Sequence, residues 1–176
     1  MEERCFIAIE LSEKAKKKVY AAARTLERLE GVRLVDPENL HLTLKFLGEV
    51  GPDKIESAIQ LLGKIKRNKF KVTLTKVGAF PNKEYIRVVW IGCVSNELEG
   101  LGKQVNDALS KLFKPESFAA HLTIARVSKK ISLEQFFTKY EKTKFGEFEV
   151  DRFYLKSSVL GKEGPVYENL KEYVLG

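Results

Sequence analysis

The chain has only two histidines, and the same phrase follows each of them. His41-Leu42-Thr43-Leu44 lies in the first half of the 176 residues and His121-Leu122-Thr123-Ile124 in the second. From the chain's own leucine and threonine usage, a histidine precedes Leu-Thr by chance roughly one time in 200, so two of two points to a duplication. Whatever unit carries His41 is therefore expected to recur around His121. At this length the two units must share one compact core, so a single domain of two similar lobes over residues 1–176 is expected.

Hydrophobic periodicity supports the repeat. A strand is predicted over 5–11, followed by a helix over 14–29 with Ser12 as its cap, Glu13 in its first turn and Gly31 as its stop. Asp36-Pro37-Glu38-Asn39 is a turn signal. It precedes the first histidine strand, over 40–50. Gly51-Pro52-Asp53 opens a helix over 54–66, and residues 70–80 alternate as a strand. The second half repeats the order: a strand over 85–94 carrying Trp90, a helix over 96–113, the second histidine strand over 118–127, and a short helix over 132–140 capped by Ser132. Two more strands, over 147–159 and 165–175, flank a turn from Gly161 to Gly164. The fold class is α+β: a duplicated unit.

Composition narrows the function classes. No run of about 18 apolar residues occurs, so no membrane-spanning helix is expected. The N-terminal Met-Glu-Glu-Arg does not read as a signal peptide. Cys5 and Cys93 fall in strand-like apolar runs with no C-x-x-C spacing, and read as reduced, buried thiols of a cytoplasmic protein. The net charge of +7 favours an anionic partner such as nucleic acid. Single clusters such as Lys14-Ala-Lys16-Lys17-Lys18 read as a solvated helix face. Many charges with few Cys, Met and His resemble a thermophile's composition.

On a strand, residues i and i+2 share a face. His41 and Thr43 are thus expected to project together, opposite Leu42, Leu44 and Phe46 in the core, and His121 with Thr123 likewise. Strict alternation also puts Lys45 beside His41 as a candidate RNA contact. If the repeats pair about a pseudo-two-fold axis, both His/Thr pairs line one cleft. This set suits phosphodiester chemistry without a metal: one imidazole takes a proton from water, the other protonates the leaving oxygen, and the hydroxyls bind phosphate oxygens. A strained 2′,3′-cyclic phosphate is a natural target, because its leaving hydroxyl stays tethered. A metal needs three or four converging ligands, and two histidines with no Cys or carboxylate at ligand spacing do not supply them, so no metal is expected. Neither cysteine adjoins a histidine and no G-x-S-x-G occurs, so a Ser or Cys nucleophile is not expected.

The stretches Asn39-Leu-His-Leu-Thr-Leu-Lys-Phe-Leu-Gly48 and His121-Leu-Thr-Ile-Ala-Arg126 resemble the two H-x-T-x motifs of the 2H phosphoesterase superfamily. Within it the chain is most similar to the RNA 2′,3′-cyclic phosphodiesterases, also called 2′-5′ RNA ligases. The resemblance extends to Arg4-Cys-Phe-Ile-Ala-Ile, Phe80-Pro-Asn, Val89-Trp90, Ser157 and Gly164-Pro-Val-Tyr167. Ala120 departs from it where the family often has Pro. The resemblance implies a bilobed fold, with two antiparallel sheets facing a central cleft and helices outside. It implies hydrolysis of RNA 2′,3′-cyclic phosphate ends, tRNA fragments among them, to 2′-phosphates, with no metal or nucleotide cofactor; a monomer is expected because one chain completes the cleft. His41 would be the proton donor and His121 the proton acceptor, with ATP-independent 2′-5′ ligation as a side activity. Arg126 matches an arginine expected at the phosphate, with Thr43 and Thr123; alternation turns Arg126 away from His121, so a bulge is required. Tyr167 and Trp90 are expected in the core, with base stacking as their other use. Two alternatives stand beside this reading: another 2H activity, on 2′-5′ oligonucleotides or small cyclic phosphates, and a non-catalytic RNA-end binding module.

Overall fold

The computed structural model describes residues 1–162 and 164–176. Its strands are β1 (Glu3–Glu10), β2 (Val32–Leu34), β3 (His41–Val50), β4 (Phe70–Pro81), β5 (Ile86–Val94), β6 (His121–Val127), β7 (Lys144–Val150), β8 (Arg152–Gly161) and β9 (Gly164–Val174). Its helices are α1 (Glu13–Ala23), α2 (Pro52–Leu62), α3 (Asn96–Ala108) and α4 (Glu134–Tyr140). The turn expected between Gly161 and Gly164 includes Glu163, which lies outside the described residues.

The helices start where local chemistry directs. The Ser12 hydroxyl accepts from the Ala15 N–H at 3.3 Å, capping α1 as expected. Ser95 does the same for α3 through Leu98. Pro52 sits in the first turn of α2, where its missing N–H is harmless. Ser132 does not cap α4; Leu133 holds that position without a side-chain bond. Helices α1, α2 and α3 also end earlier than expected from the sequence, whereas α4 ends at Tyr140 as expected. The Thr25 hydroxyl donates to the Ala22 carbonyl at 2.7 Å, and α1 tightens into a 3-10 turn over Arg24–Leu26. Leu26 stays buried while Leu29 is exposed.

Among the described residues the strands form one curled antiparallel sheet in the order β7-β4-β5-β6-β3-β1-β8-β9, with the short, unanticipated β2 pairing to β6. The two halves meet at the single pair Leu42 with Leu122, so the two expected sheets are joined at their inner edges. Each histidine strand is the innermost of its half. The stretch expected as one strand over 147–159 is two strands, because Asp151 interrupts it and the chain changes halves there: β7 pairs with β4, β8 with β1. One half, β4 to β7, is continuous in sequence. The other is assembled from β1 and β3 together with β8 and β9. The spatial halves therefore differ from the sequence repeats, since β4 closes the first repeat in sequence but pairs with β5.

Leu42, Leu44, Leu122 and Ile124 are buried in a common core with Ala15 and Val19 of α1 and Leu98, Leu101 and Val105 of α3. Complete burial of one such side chain stabilises the fold by about 1.5–3 kcal/mol. No helix among the described residues is long and apolar enough to cross a membrane. Cys5 and Cys93 are buried and unpaired.

Candidate active site

Both histidine phrases carry a bulge at the same place. On β3, Ala8 pairs with Thr43 and Ile7 with Lys45, leaving Leu44 as the extra residue. On β6, Trp90 pairs with Thr123 and Val89 with Ala125, leaving Ile124 extra. An extra residue reverses the alternation beyond it. The bulge that Arg126 required is therefore present, and Arg126 reaches the cleft. By the same shift Phe46, expected in the core, is 59% exposed and lines the cleft, while Lys45 is only 3% exposed. Lys45 faces away from the histidines and is not placed to contact RNA there.

His41, Thr43, His121, Thr123 and Arg126 line one cleft of about 490 Å³, together with Arg4, Asn39, Phe46 and Tyr167. A second depression of about 530 Å³, around Lys83, Glu134 and Phe137, holds neither histidine. The His41 Nδ1–H donates to the Asn39 carbonyl at 2.7 Å, and the His121 Nδ1–H donates to the Ala119 carbonyl at 2.7 Å. A carbonyl only accepts, so each neutral ring is held as the Nδ1–H tautomer and keeps Nε2 for proton transfer. The His41 Nε2 lies 3.0 Å from the Thr43 hydroxyl.

Aromatic side chains brace the rings unequally. The ring of Tyr167 meets His41 edge-on at 5.2 Å between centroids, and Phe6 lies 5.0 Å from His41. Phe80 meets His121 edge-on at 4.9 Å. Tyr167, expected in the core, thus belongs to the cleft. Trp90 packs against Phe80 and over Gly78, where any side chain would strike its ring. Burial pushes the His41 imidazole down to about 4, with the nearby Lys156 ammonium acting in the same direction and the Asn39 bond and Glu10 opposing. Lys156 itself is buried and donates to Glu10 at 2.5 Å and to the Asn169 amide oxygen at 2.6 Å.

Residues 9–90 match the family described as LigT like Phosphoesterase. The chain is 40% identical over 174 residues to a protein of Archaeoglobus fulgidus named RNA 2′,3′-cyclic phosphodiesterase, covering 97% of this chain and 99% of that one. It is 39% identical over 175 residues to a Methanocaldococcus jannaschii protein of the same name, with the same coverage. The chain belongs to the LigT-like phosphoesterase family of 2H phosphoesterases. Solved structures agree: E. coli LigT in its apo form superposes with a TM-score of 0.84 at 26% identity, covering 99% of this chain and 98% of that one. A Thermus thermophilus protein superposes at 0.86 with 26% identity, covering 97% of both chains. As a member of this family the chain is a phosphoesterase of α+β architecture. Asn39, Phe6 and Phe80 lie in the stretches that carry the resemblance, but the sequence alone assigns them no role at the site. Asn39 and Ala119 share one signal, their place two residues before a histidine.

Proposed function

We propose that the chain hydrolyses RNA ends bearing a 2′,3′-cyclic phosphate to 2′-phosphate ends. The observation that carries this reading is the meeting of two His-x-Thr pairs in one cleft, each Nδ1 held by a backbone carbonyl. The names of the relatives support the substrate class, and E. coli LigT has been crystallised with 3′-AMP. In this reading His121 Nε2 takes a proton from water as it attacks phosphorus, and the P–O3′ bond breaks as His41 Nε2 protonates O3′. Thr43, Thr123 and Arg126 bind the non-bridging oxygens, where charge accumulates.

The cleft's asymmetry supports this order of roles. The equivalent positions just past the bulges hold an aromatic ring on β3, Phe46, which packs against Phe6, and a guanidinium on β6, Arg126, whose charge acts across the cleft on His41 and Tyr167. Phe6, Phe46 and Tyr167 suit a base and its ribose on the His41 side, and O3′ belongs to that ribose. An empty cleft leaves His41 neutral; a phosphate anion beside it favours the imidazolium, so substrate charges its own acid. Among the described residues no three His, Cys, Asp or Glu side chains cluster as metal ligands, and the reading uses no metal step. A 5′-hydroxyl in place of water gives a 2′-5′ linkage as a side reaction. One chain supplies both motifs, so a monomer suffices.

The test is turnover, in EDTA, of a short RNA with a 2′,3′-cyclic phosphate end, the product assigned by phosphorus NMR. Native protein yields 2′-phosphate, and His41→Ala and His121→Ala each lower kcat by about 10²-fold or more. Intact cyclic ends with shortened linear 2′-5′ oligomers would assign a different 2H activity. RNA-end binding without turnover by native protein, surviving both substitutions, would assign a binding module.

A further inference from the structure

Lys45 is a buried ammonium where the repeat shows that none is required: Ala125 fills the equivalent place on β6 and is fully buried. Removing such a charge from water is unfavourable unless hydrogen bonds replace the water. Its Nζ donates to the Asn106 amide oxygen at 2.7 Å and to the Lys114 carbonyl at 2.8 Å. Both partners belong to the path into the other histidine. Asn106 lies on α3, and residues 114–120, which have no helix or strand, run into β6.

Asn106 uses the rest of its side chain on that path. Its amide N–H donates to the Glu116 carbonyl at 2.6 Å, and its oxygen also accepts from the Glu116 N–H at 3.2 Å. Two residues on, the Phe118 ring lies so close to Gly102 that an added Cβ would sit 2.7 Å from it. The next carbonyl, of Ala119, is the one that holds the His121 ring. The carbonyl that holds His41 is anchored differently: the Asn39 side-chain amide donates to the Pro165 carbonyl on β9 at 3.1 Å.

We propose that Lys45 and Asn106 are positioning residues that tie the first histidine strand to the segment orienting the second histidine. Lys45 fixes residues 114–119, and the Ala119 carbonyl then sets the tautomer and direction of His121. The proposal deepens the phosphodiesterase reading and rests on it for its kinetic consequence.

With two histidines in the chain, nitrogen-15 NMR of the rings gives two signal sets, assigned with His41→Ala. In Lys45→Met the His121 ring nitrogens shift and its Nδ1–H exchanges faster, while His41 stays unchanged. On the cyclic-phosphate RNA, kcat falls roughly ten- to a hundredfold with KM within about twofold, as expected for a misplaced catalytic group. If Lys45→Met does not fold, the near-isosteric Asn106→Asp keeps the acceptor for Lys45 but loses the donor to Glu116, and must give the same changes. Unmoved His121 signals in a folded variant overturn the proposal, even where stability drops. The ring signals need no substrate. Native protein inert on cyclic ends would thus sink the activity reading alone, and an active native protein with unmoved signals would sink the coupling alone.

Discussion

His41 should make the protein's stability depend on pH in a way a single substitution can isolate. Burial holds its imidazole at about 4, against 6.5 for the free side chain. Between those values the unfolded chain carries a proton on His41 and the folded chain does not. Folding is then opposed by the proton the unfolded state gains, so the contribution of neutral His41 is complete above about pH 6.5 and is lost as pH falls toward 4. At about 1.4 kcal/mol per tenfold change in proton affinity, the full loss is about 3 kcal/mol. The assay is urea unfolding of native protein and His41→Asn at half-unit steps from pH 7.5 to 4. Carboxylates titrate in both proteins and cancel in the difference. The native protein should lose about 3 kcal/mol more than the variant across this range. A saturating 2′-nucleotide should shrink the excess, because an anion in the cleft favours the imidazolium. Parallel curves for native and His41→Asn would refute the reasoning, because burial would then not be holding the ring neutral.

Four other outcomes follow from the structure. Phe46→Ala should raise KM for a cyclic-phosphate RNA by an amount equivalent to about 1–3 kcal/mol of stacking with little change in kcat, whereas Arg126→Ala should lower kcat by about 10²-fold in the same steady-state measurement. Gly78→Ala would place a methyl against the Trp90 ring and should destabilise the fold by about 1–3 kcal/mol in urea, with Phe80 and the His121 ring disturbed together. Cys5 and Cys93, whose thiols burial pushes up to about 11 and about 12, should resist a thiol reagent at pH 8 in native protein and react fully in denaturant.

The histidine strands, the flanking strands β1 and β5 and the capped start of α1 were legible because each is written in local periodicity and turn chemistry. The break at Asp151 was legible in part: the buried positions pass from Phe148 and Val150 to Phe153 and Leu155, a slip of phase across Asp151-Arg152 that one continuous strand does not make, while the change of partner strand from β4 to β1 has no local signal. The exchange of Lys45 and Phe46 was half legible. Arg126 demanded a bulge in the second phrase, and the repeat implies the same bulge in the first. Strict alternation after Thr43 conceals it, because Leu44 is apolar on either reading. Tyr167 was hidden for another reason. Its contact with His41 spans most of the chain, and a pattern local to β9 does not report what lies across the cleft.

The interleaving of the chain sets an order of assembly. Strands β4 to β7 of the half holding His121 are continuous in sequence, with only β2 added from the N-terminal part, and the β4–β5 pairing closes a short loop, with Gly78 opposite Trp90. The half holding His41 needs Phe6 to find Lys156 and Leu155 to find Ile7, contacts between the two ends of the described chain. Loop closure disfavours such distant pairings until the intervening chain is compact. During synthesis the His121 side can therefore fold behind the ribosome while β1, paired with β3 on one edge, still waits for β8 on the other. The Tyr167 brace of the His41 ring and the Pro165 anchor of its carbonyl both come from β9, so the ring gains its full support only once that strand has left the ribosome.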